Sequence, residues 1–195
     1  MHSNPIGWVS TGDACLPRKA VLKLIVVGDG GVGKTTLIHR YLTGNYLDQR
    51  MTVGSGFATR DLNMEGVIIT LTIWDFAGEE RFRFLLPAYC RGSLGCILAF
   101  DFTRPPTFYH LDQWLTLVRS NTDEIPILLV GNKRDAGDKN SDLARDYTQI
   151  NNLAGYLETS AKDGYNVTKA FEIIANLMWT RITTAEPQSL LTTAT

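Results

Sequence analysis

Eight consecutive residues, Gly28-Asp29-Gly30-Gly31-Val32-Gly33-Lys34-Thr35, match the phosphate-loop pattern G-x-x-x-x-G-K-[ST] without a gap or mismatch. Glycines let such a backbone curl so that successive N–H groups face one concavity. With a helix N-terminus behind it, that concavity attracts phosphate oxygens. The cradle is expected to run over Asp29, Gly30, Gly31, Val32 and Gly33 into Lys34, Thr35 and Thr36. Lys34 would place a positive charge on the β- and γ-phosphates, and Thr35 would offer its hydroxyl to Mg²⁺.

Three further clusters could do chemistry beside such a loop. In Trp74-Asp75-Phe76-Ala77-Gly78, an aspartate closing an apolar run can hold the Mg²⁺ shell. Gly78, three residues on, can present its N–H to a γ-phosphate. In Gly131-Asn132-Lys133-Arg134-Asp135, the Asp135 carboxylate can accept two hydrogen bonds from the N1–H and N2–H₂ of guanine. Adenine presents no such donor pair and leaves the carboxylate unpaired, so the discrimination is large. Asn132 would brace this loop and the Lys133 stem would lie along the base. In Glu158-Thr159-Ser160-Ala161-Lys162, the Ala161 N–H could bind guanine O6, with Ser160 and Lys162 beside it.

Hydrophobic patterning supplies the elements that must position these clusters. Val21–Val27 is a β-branched apolar run that reads as a buried strand, and Thr36–Leu42 carries apolar residues at helical spacing. Phe57–Met64 and Val67–Trp74 alternate around Glu65-Gly66 and predict an antiparallel hairpin. Leu94–Phe100, Ile125–Val130 and Tyr156–Glu158 read as three more strands. Helices are predicted around Phe108, Leu111, Trp114, Leu115 and Val118, then around Leu143, Tyr147, Ile150 and Ala154, and over Val167–Arg181. His39 and His110 read as helix residues without catalytic duty, and Cys90 and Cys96 as buried packing residues.

Strands alternating with helices after one hairpin predict an α/β architecture, a P-loop NTPase fold. Its sheet is mostly parallel and six-stranded, with one antiparallel edge hairpin and helices on both faces. Ligands sit outside the carboxyl ends of such strands. The four clusters follow four of them and should converge.

The 195 residues suit one domain, placed at 20–182, with a mobile extension over 1–19 and a flexible tail over 183–195. A net charge of −1 implies no bulk attraction to nucleic acid or anionic lipid. The three cysteines, Cys15, Cys90 and Cys96, have no metal-ligand spacing and suggest a reducing, cytoplasmic setting. No apolar run has transmembrane length. With Met1-His2 at the start and no cysteine after Cys96, no direct lipid anchor is expected, so the chain is expected to work in the cytosol or to be brought to a membrane by a partner or its N-terminal extension.

Taken in order, GDGGVGKTT, Thr52 within MTVGSGF, WDFAGEERF, GNKRD and ETSAK make the chain resemble a Ras-superfamily small GTPase, nearest the Rab-like branch, from about Lys19 to Arg181. The resemblance implies two switch segments, one around Thr52 and one from Asp75 to about Arg91. Thr52 would bind Mg²⁺ and the γ-phosphate in the GTP state and let go after hydrolysis. Tyr46 would stack on the guanine. Metal ligation would fall to Thr35, Thr52 and Asp75, and catalysis to Lys34, Thr52, Gly78 and Glu79. The implied partners are guanine nucleotide, an effector, an exchange factor and a GTPase-activating protein, acting on a monomer.

Two departures stand out within that resemblance. Glu79 occupies the place of the family's water-orienting glutamine. A carboxylate only accepts hydrogen bonds, and its charge opposes that of the γ-phosphate, which predicts slow intrinsic hydrolysis. Phe76 replaces a threonine and is expected to pack under the switch. Phe57, Trp74 and the Phe82/Phe84 region are expected effector contacts, with hydrophobic core as the alternative. The competing functions are a GTP-bound scaffold with negligible turnover and a P-loop ATPase or nucleotide kinase. Asp135 and the ETSAK segment argue against the latter.

Overall fold

In the computed structural model, residues 7–11, 14–47, 56–76, 78, 84–136 and 141–185 are described. The strands are β1 (Gly7–Thr11), β2 (Ala14–Val27), β3 (Gly56–Met64), β4 (Val67–Asp75), β5 (Gly95–Asp101), β6 (Ile127–Asn132) and β7 (Gly155–Glu158). The helices are α1 (Lys34–Thr43), α2 (Leu86–Cys90), α3 (Pro106–Tyr109), α4 (Leu111–Arg119), α5 (Ser141–Ile150) and α6 (Val167–Ala185).

Because successive strand side chains face opposite ways, a continuous apolar strand must bury both faces. In β2, Leu22, Leu24 and Val26 join a core layer with Leu37 and Ile38 of α1 and Phe171, Ile174 and Met178 of α6. Ile25 and Val27 join the opposite layer, with Leu86 of α2 and Leu111, Trp114 and Val118 of α4. The central strands β5 and β6 are buried throughout, so their sequences show no alternation.

The sheet order is β3-β4-β2-β5-β6-β7. β3 and β4 pair antiparallel, and every other pair in this row is parallel. This is the mostly parallel, six-stranded sheet expected, with its antiparallel hairpin at the edge. From β2 the chain leaves for β4 on one side and returns to β5 on the other. A crevice therefore opens at the carboxyl end of β2, where ligands bind in open α/β sheets.

One strand was not expected and one helix face needs correction. Before Lys19, β1 pairs antiparallel with the start of β2, from Gly7 opposite Lys19 to Thr11 opposite Ala14. Mutual backbone pairing needs no apolar periodicity, which is why the pattern gave no sign of it. In α5, Leu143 and Ile150 are exposed, whereas Ala144 and Thr148 are buried. Ala154 lies beyond the helix. The buried face of α5 is therefore offset from the apolar stripe, with Tyr147 alone of the expected residues in the helix packed against the core. The α6 stripe of Val167, Phe171, Ile174 and Met178 is buried as expected, with Leu177 packed at its margin.

Candidate functional site

Each chemically competent cluster leaves the carboxyl end of a parallel strand, and side chains from outside the motifs tie the clusters together. Gly33 caps α1 at φ 92°, and a Cβ there would lie 2.6 Å from Asn132 Nδ2. Lys34 is buried, and its Nζ donates to the carbonyls of Gly28 at 2.7 Å and Asp29 at 2.8 Å. Burial pushes this amine down to about 8, while the charges of Asp75 and Asp29 pull upward and Arg104 pushes further down. Thr36 is half-buried in the first turn of α1.

The carbonyls on the loop's outer side are held from without. Arg104 Nη2 donates to Gly30 O at 2.8 Å, Lys133 Nζ to Gly31 O at 3.0 Å, and Asn132 Nδ2 to Val32 O at 2.9 Å. In a planar trans peptide the C=O and the following N–H point opposite ways. Anchoring three consecutive carbonyls therefore sets the direction of the N–H groups that would face phosphate.

Asp29 turns its carboxylate away from this concavity. Oδ1 accepts from Trp114 Nε1 at 2.7 Å, and Oδ2 lies 2.6 Å from His110 Nδ1. His110, expected to be an ordinary helix residue, thus joins the loop to the junction of α3 and α4.

Thr35 donates its hydroxyl to Asp75 Oδ2. Asp75 Oδ1 is buried and has no hydrogen-bond partner among the described residues. Burial raises this carboxyl above its ordinary range, against the opposing pull of the Thr35 hydroxyl and the Lys34 charge. A buried carboxylate oxygen awaiting a partner, next to a threonine hydroxyl, is the hard-oxygen set that suits Mg²⁺. When bound, the ion would neutralise phosphate charge. Gly78 lies against the same loop, where a Cβ would come within 2.2 Å of Gly28 O, so only glycine fits. Thr52 and Glu79 lie outside the described residues.

At the expected base pocket, Asn132 Oδ1 accepts from Thr159 Oγ1 at 3.1 Å, so one side chain bridges the loops after β2, β6 and β7. Asp135 Oδ1 accepts from Ser160 Oγ at 2.7 Å. Ser160 and Ala161 are buried, and Lys162 is exposed. Lys133 adopts φ 60°, with its ammonium 2.8 Å from Asp101 Oδ2. Arg134 Nε donates to Glu158 Oε2 at 2.8 Å while its guanidinium lies 4.1 Å from the Tyr165 ring centroid. Tyr46 is exposed beyond α1 and makes no ring contact with the base pocket among the described residues.

A sequence profile of the Ras family matches residues 23–180. The chain belongs to the Ras family. Its relatives are Rab-like GTPases. It is 38% identical over 179 residues to the Ras-related protein RABA2a of Arabidopsis thaliana, covering 89% of this chain and 82% of the relative. It is 37% identical over 166 residues to the Ras-related protein Rab7 of Drosophila melanogaster (81% and 80%). It is 38% identical over 159 residues to the Ras-related protein YPTC6 of Chlamydomonas reinhardtii (79% and 73%). Ras-family proteins bind guanine nucleotide with Mg²⁺, hydrolyse GTP and act as switches read by regulators and effectors.

The aromatic residues of this Rab-like GTPase divide clearly. Phe57 is 72% exposed, and its ring lies 6.4 Å from that of half-buried Trp74. Trp74 meets Tyr89 edge-on at 5.4 Å and carries the Lys23 ammonium 4.1 Å from its ring centroid. Tyr89, which the sequence did not single out, is the third ring of this row. Phe84 is 75% exposed, and Phe82 lies outside the described residues. Phe76 is buried between Tyr89 and Trp114, at 5.4 and 6.2 Å.

Sequence reasoning passed over Asp101, Arg104 and Tyr89. A charged residue closing the apolar run of β5 was a signal for Asp101; Arg104 and Tyr89 carried none.

Proposed function

We propose that this Rab-like protein is a GTP/GDP switch with slow intrinsic turnover. The observation that carries the reading is the Asn132 bridge. It puts the phosphate loop, through Val32 O, and the guanine-selecting loops, through Thr159, in one frame. Asp135, held by Ser160, selects guanine. Lys34 and the loop N–H groups bind the phosphates, with Thr35, Asp75 and Thr52 as oxygen donors to Mg²⁺ and Tyr46 on the base. Water attacks the γ-phosphate, and Gly78 and Thr52 contact that phosphate in the GTP state. Glu79 positions the water weakly, because its carboxylate cannot donate to the transition state and repels the phosphate. A GTPase-activating partner supplying an arginine or other polar group completes the site, and an exchange factor resets it.

Exposed Phe57 beside half-buried Trp74, backed by Tyr89, supports an effector surface there. The names of the Rab relatives support a role in vesicle trafficking, as a cytoplasmic monomer brought to membranes by a partner. Among the described residues no helix is long and apolar enough to cross a membrane.

Glu79 also supports a second reading, a GTP-bound scaffold with negligible turnover. Single-turnover GTP hydrolysis with Mg²⁺ on the wild type, Glu79→Gln and Glu79→Leu separates the two. The switch reading expects a slow wild type that Gln accelerates and Leu does not. A fast wild type slowed by both substitutions would make Glu79 a working catalytic residue and overturn the weak-positioning reading. No hydrolysis from any of the three supports the scaffold.

A further inference from the structure

Asp101 ends β5 as a carboxylate with no solvent exposure, outside every nucleotide motif. Its four acceptor contacts are filled. Oδ1 takes the Thr103 N–H at 2.9 Å and the Thr103 hydroxyl at 2.7 Å. Oδ2 takes Arg104 Nε at 3.0 Å and Lys133 Nζ at 2.8 Å. Both cations then continue to the phosphate loop, Arg104 to Gly30 O and Lys133 to Gly31 O.

We infer that Asp101, acting through Arg104 and Lys133, is a positioning residue that clamps the outer face of the phosphate loop and slows release of a bound guanosine diphosphate. The inference rests on the guanine-nucleotide reading above. Arg104 and Lys133 are 45% and 38% exposed along their side chains. Left alone, each would sample many rotamers in water at an entropic cost to any fixed contact. A buried, fully satisfied carboxylate removes that freedom, and charge-assisted hydrogen bonds are about twice as strong as neutral ones. Arginine suits its position because one planar fork can serve Asp101 through Nε and Gly30 through Nη2 together; lysine has no such fork.

The consequence falls on the phosphates. Holding Gly30 O sets the direction of the Gly31 N–H, and holding Gly31 O sets that of Val32. A cation on a carbonyl also polarises its peptide, which makes the N–H a better donor to an anion. The clamp holds different loop carbonyls from Lys34, which is buried on its own contacts with Gly28 O and Asp29 O. Burial would raise the Asp101 carboxyl, yet the donors from Lys133 and Thr103 bring it below its ordinary range, so it stays ionised at neutral pH.

The test is the release rate of fluorescently labelled GDP, chased with excess GDP, from the full chain and from Arg104→Met, Asp101→Asn and their double variant. GMP and GDP affinities and melting temperatures are recorded alongside. Arg104→Met keeps an apolar stem on an exposed side chain and leaves the core intact. It should speed release roughly tenfold, the equivalent of one charge-assisted hydrogen bond. Asp101→Asn frees both cations and should do at least as much. The double variant should resemble Asp101→Asn, because both changes open one clamp. GDP affinity should fall while GMP affinity holds, since GMP has no β-phosphate for the loop to grip.

Release from Arg104→Met at the wild-type rate would overturn the clamp. Equal losses of GMP and GDP affinity would overturn it too, because they would reduce Arg104 to a general structural role. Slower hydrolysis without faster release would make Arg104 a catalytic group instead. Failure of the wild type to bind GDP at all would sink the underlying nucleotide reading rather than the clamp alone.

Discussion

The side-chain amide of Asn132 donates to the backbone carbonyl of Val32 at 2.9 Å across a separation of 100 residues, from a side chain that is 2% exposed. Its oxygen accepts from Thr159 Oγ1, which is fully buried. One amide therefore satisfies polar groups in two loops that water does not reach.

Replacing Asn132 by Ala should leave Val32 O and Thr159 Oγ1 each short of a partner. A buried group left unsatisfied costs about 1–3 kcal/mol, so with two such groups the ligand-free protein should lose about 2–6 kcal/mol in urea unfolding. Labelled GDP should also be released faster by at least tenfold. Normal stability with normal release would mean that the bridge is dispensable.

Phe76 fills the space between Trp114 and Tyr89, and its resemblance-based counterpart is threonine. Phe76→Thr removes a ring from the packed layer and buries a hydroxyl among aromatic rings. Large-to-small changes of this type cost about 3–5 kcal/mol. The expected result is a lower unfolding midpoint at unchanged denaturant slope, measured with saturating GDP. A midpoint equal to that of the wild type would show that the layer closes up without the ring.

Lys34 gives a pH signature. Its ordinary value of 10.5 falls to about 8 in the folded, ligand-free protein, chiefly through burial. Between those values the unfolded chain holds the proton more tightly than the folded one, so stability rises with pH. The full cost, about 3 kcal/mol at 1.36 kcal/mol per unit, is present below pH 8 and is relieved above it. From pH 9 upward the buried Cys90 and Cys96 thiols, raised from 9.0, act in the opposite sense. The usable window is therefore pH 8 to 9. There the ligand-free wild type should gain about 1 kcal/mol relative to Lys34→Met, and GDP should erase the gain by supplying a counter-charge. Parallel pH curves for the two proteins would remove Lys34 as the source.

Much of this molecule is legible in short contiguous strings. The phosphate loop from Gly28 to Thr35, the Asn132–Asp135 run and the Ser160–Lys162 run each need a particular backbone and particular side chains over a few adjacent residues. Their types and spacing carry the information. The central strands were equally legible, because a strand buried on both faces is apolar along nearly its whole length, as in Gly95–Asp101 until its final residue. That is why family and sheet could be read from residue order alone.

Tertiary structure decided what covers and braces those strings. Arg104 looks like any loop arginine until the fold sets it beside Gly30, and Tyr89 like any helix tyrosine until Trp74 lies against it. Leu143 and Ile150 fit a helical stripe, but the placement of α5 in the fold put Ala144 and Thr148 on the buried face. Local pattern reports what a backbone segment can bury or bind by itself. Which distant carbonyl a cation reaches depends on the summed geometry of every element between them, and no window of the sequence contains that sum.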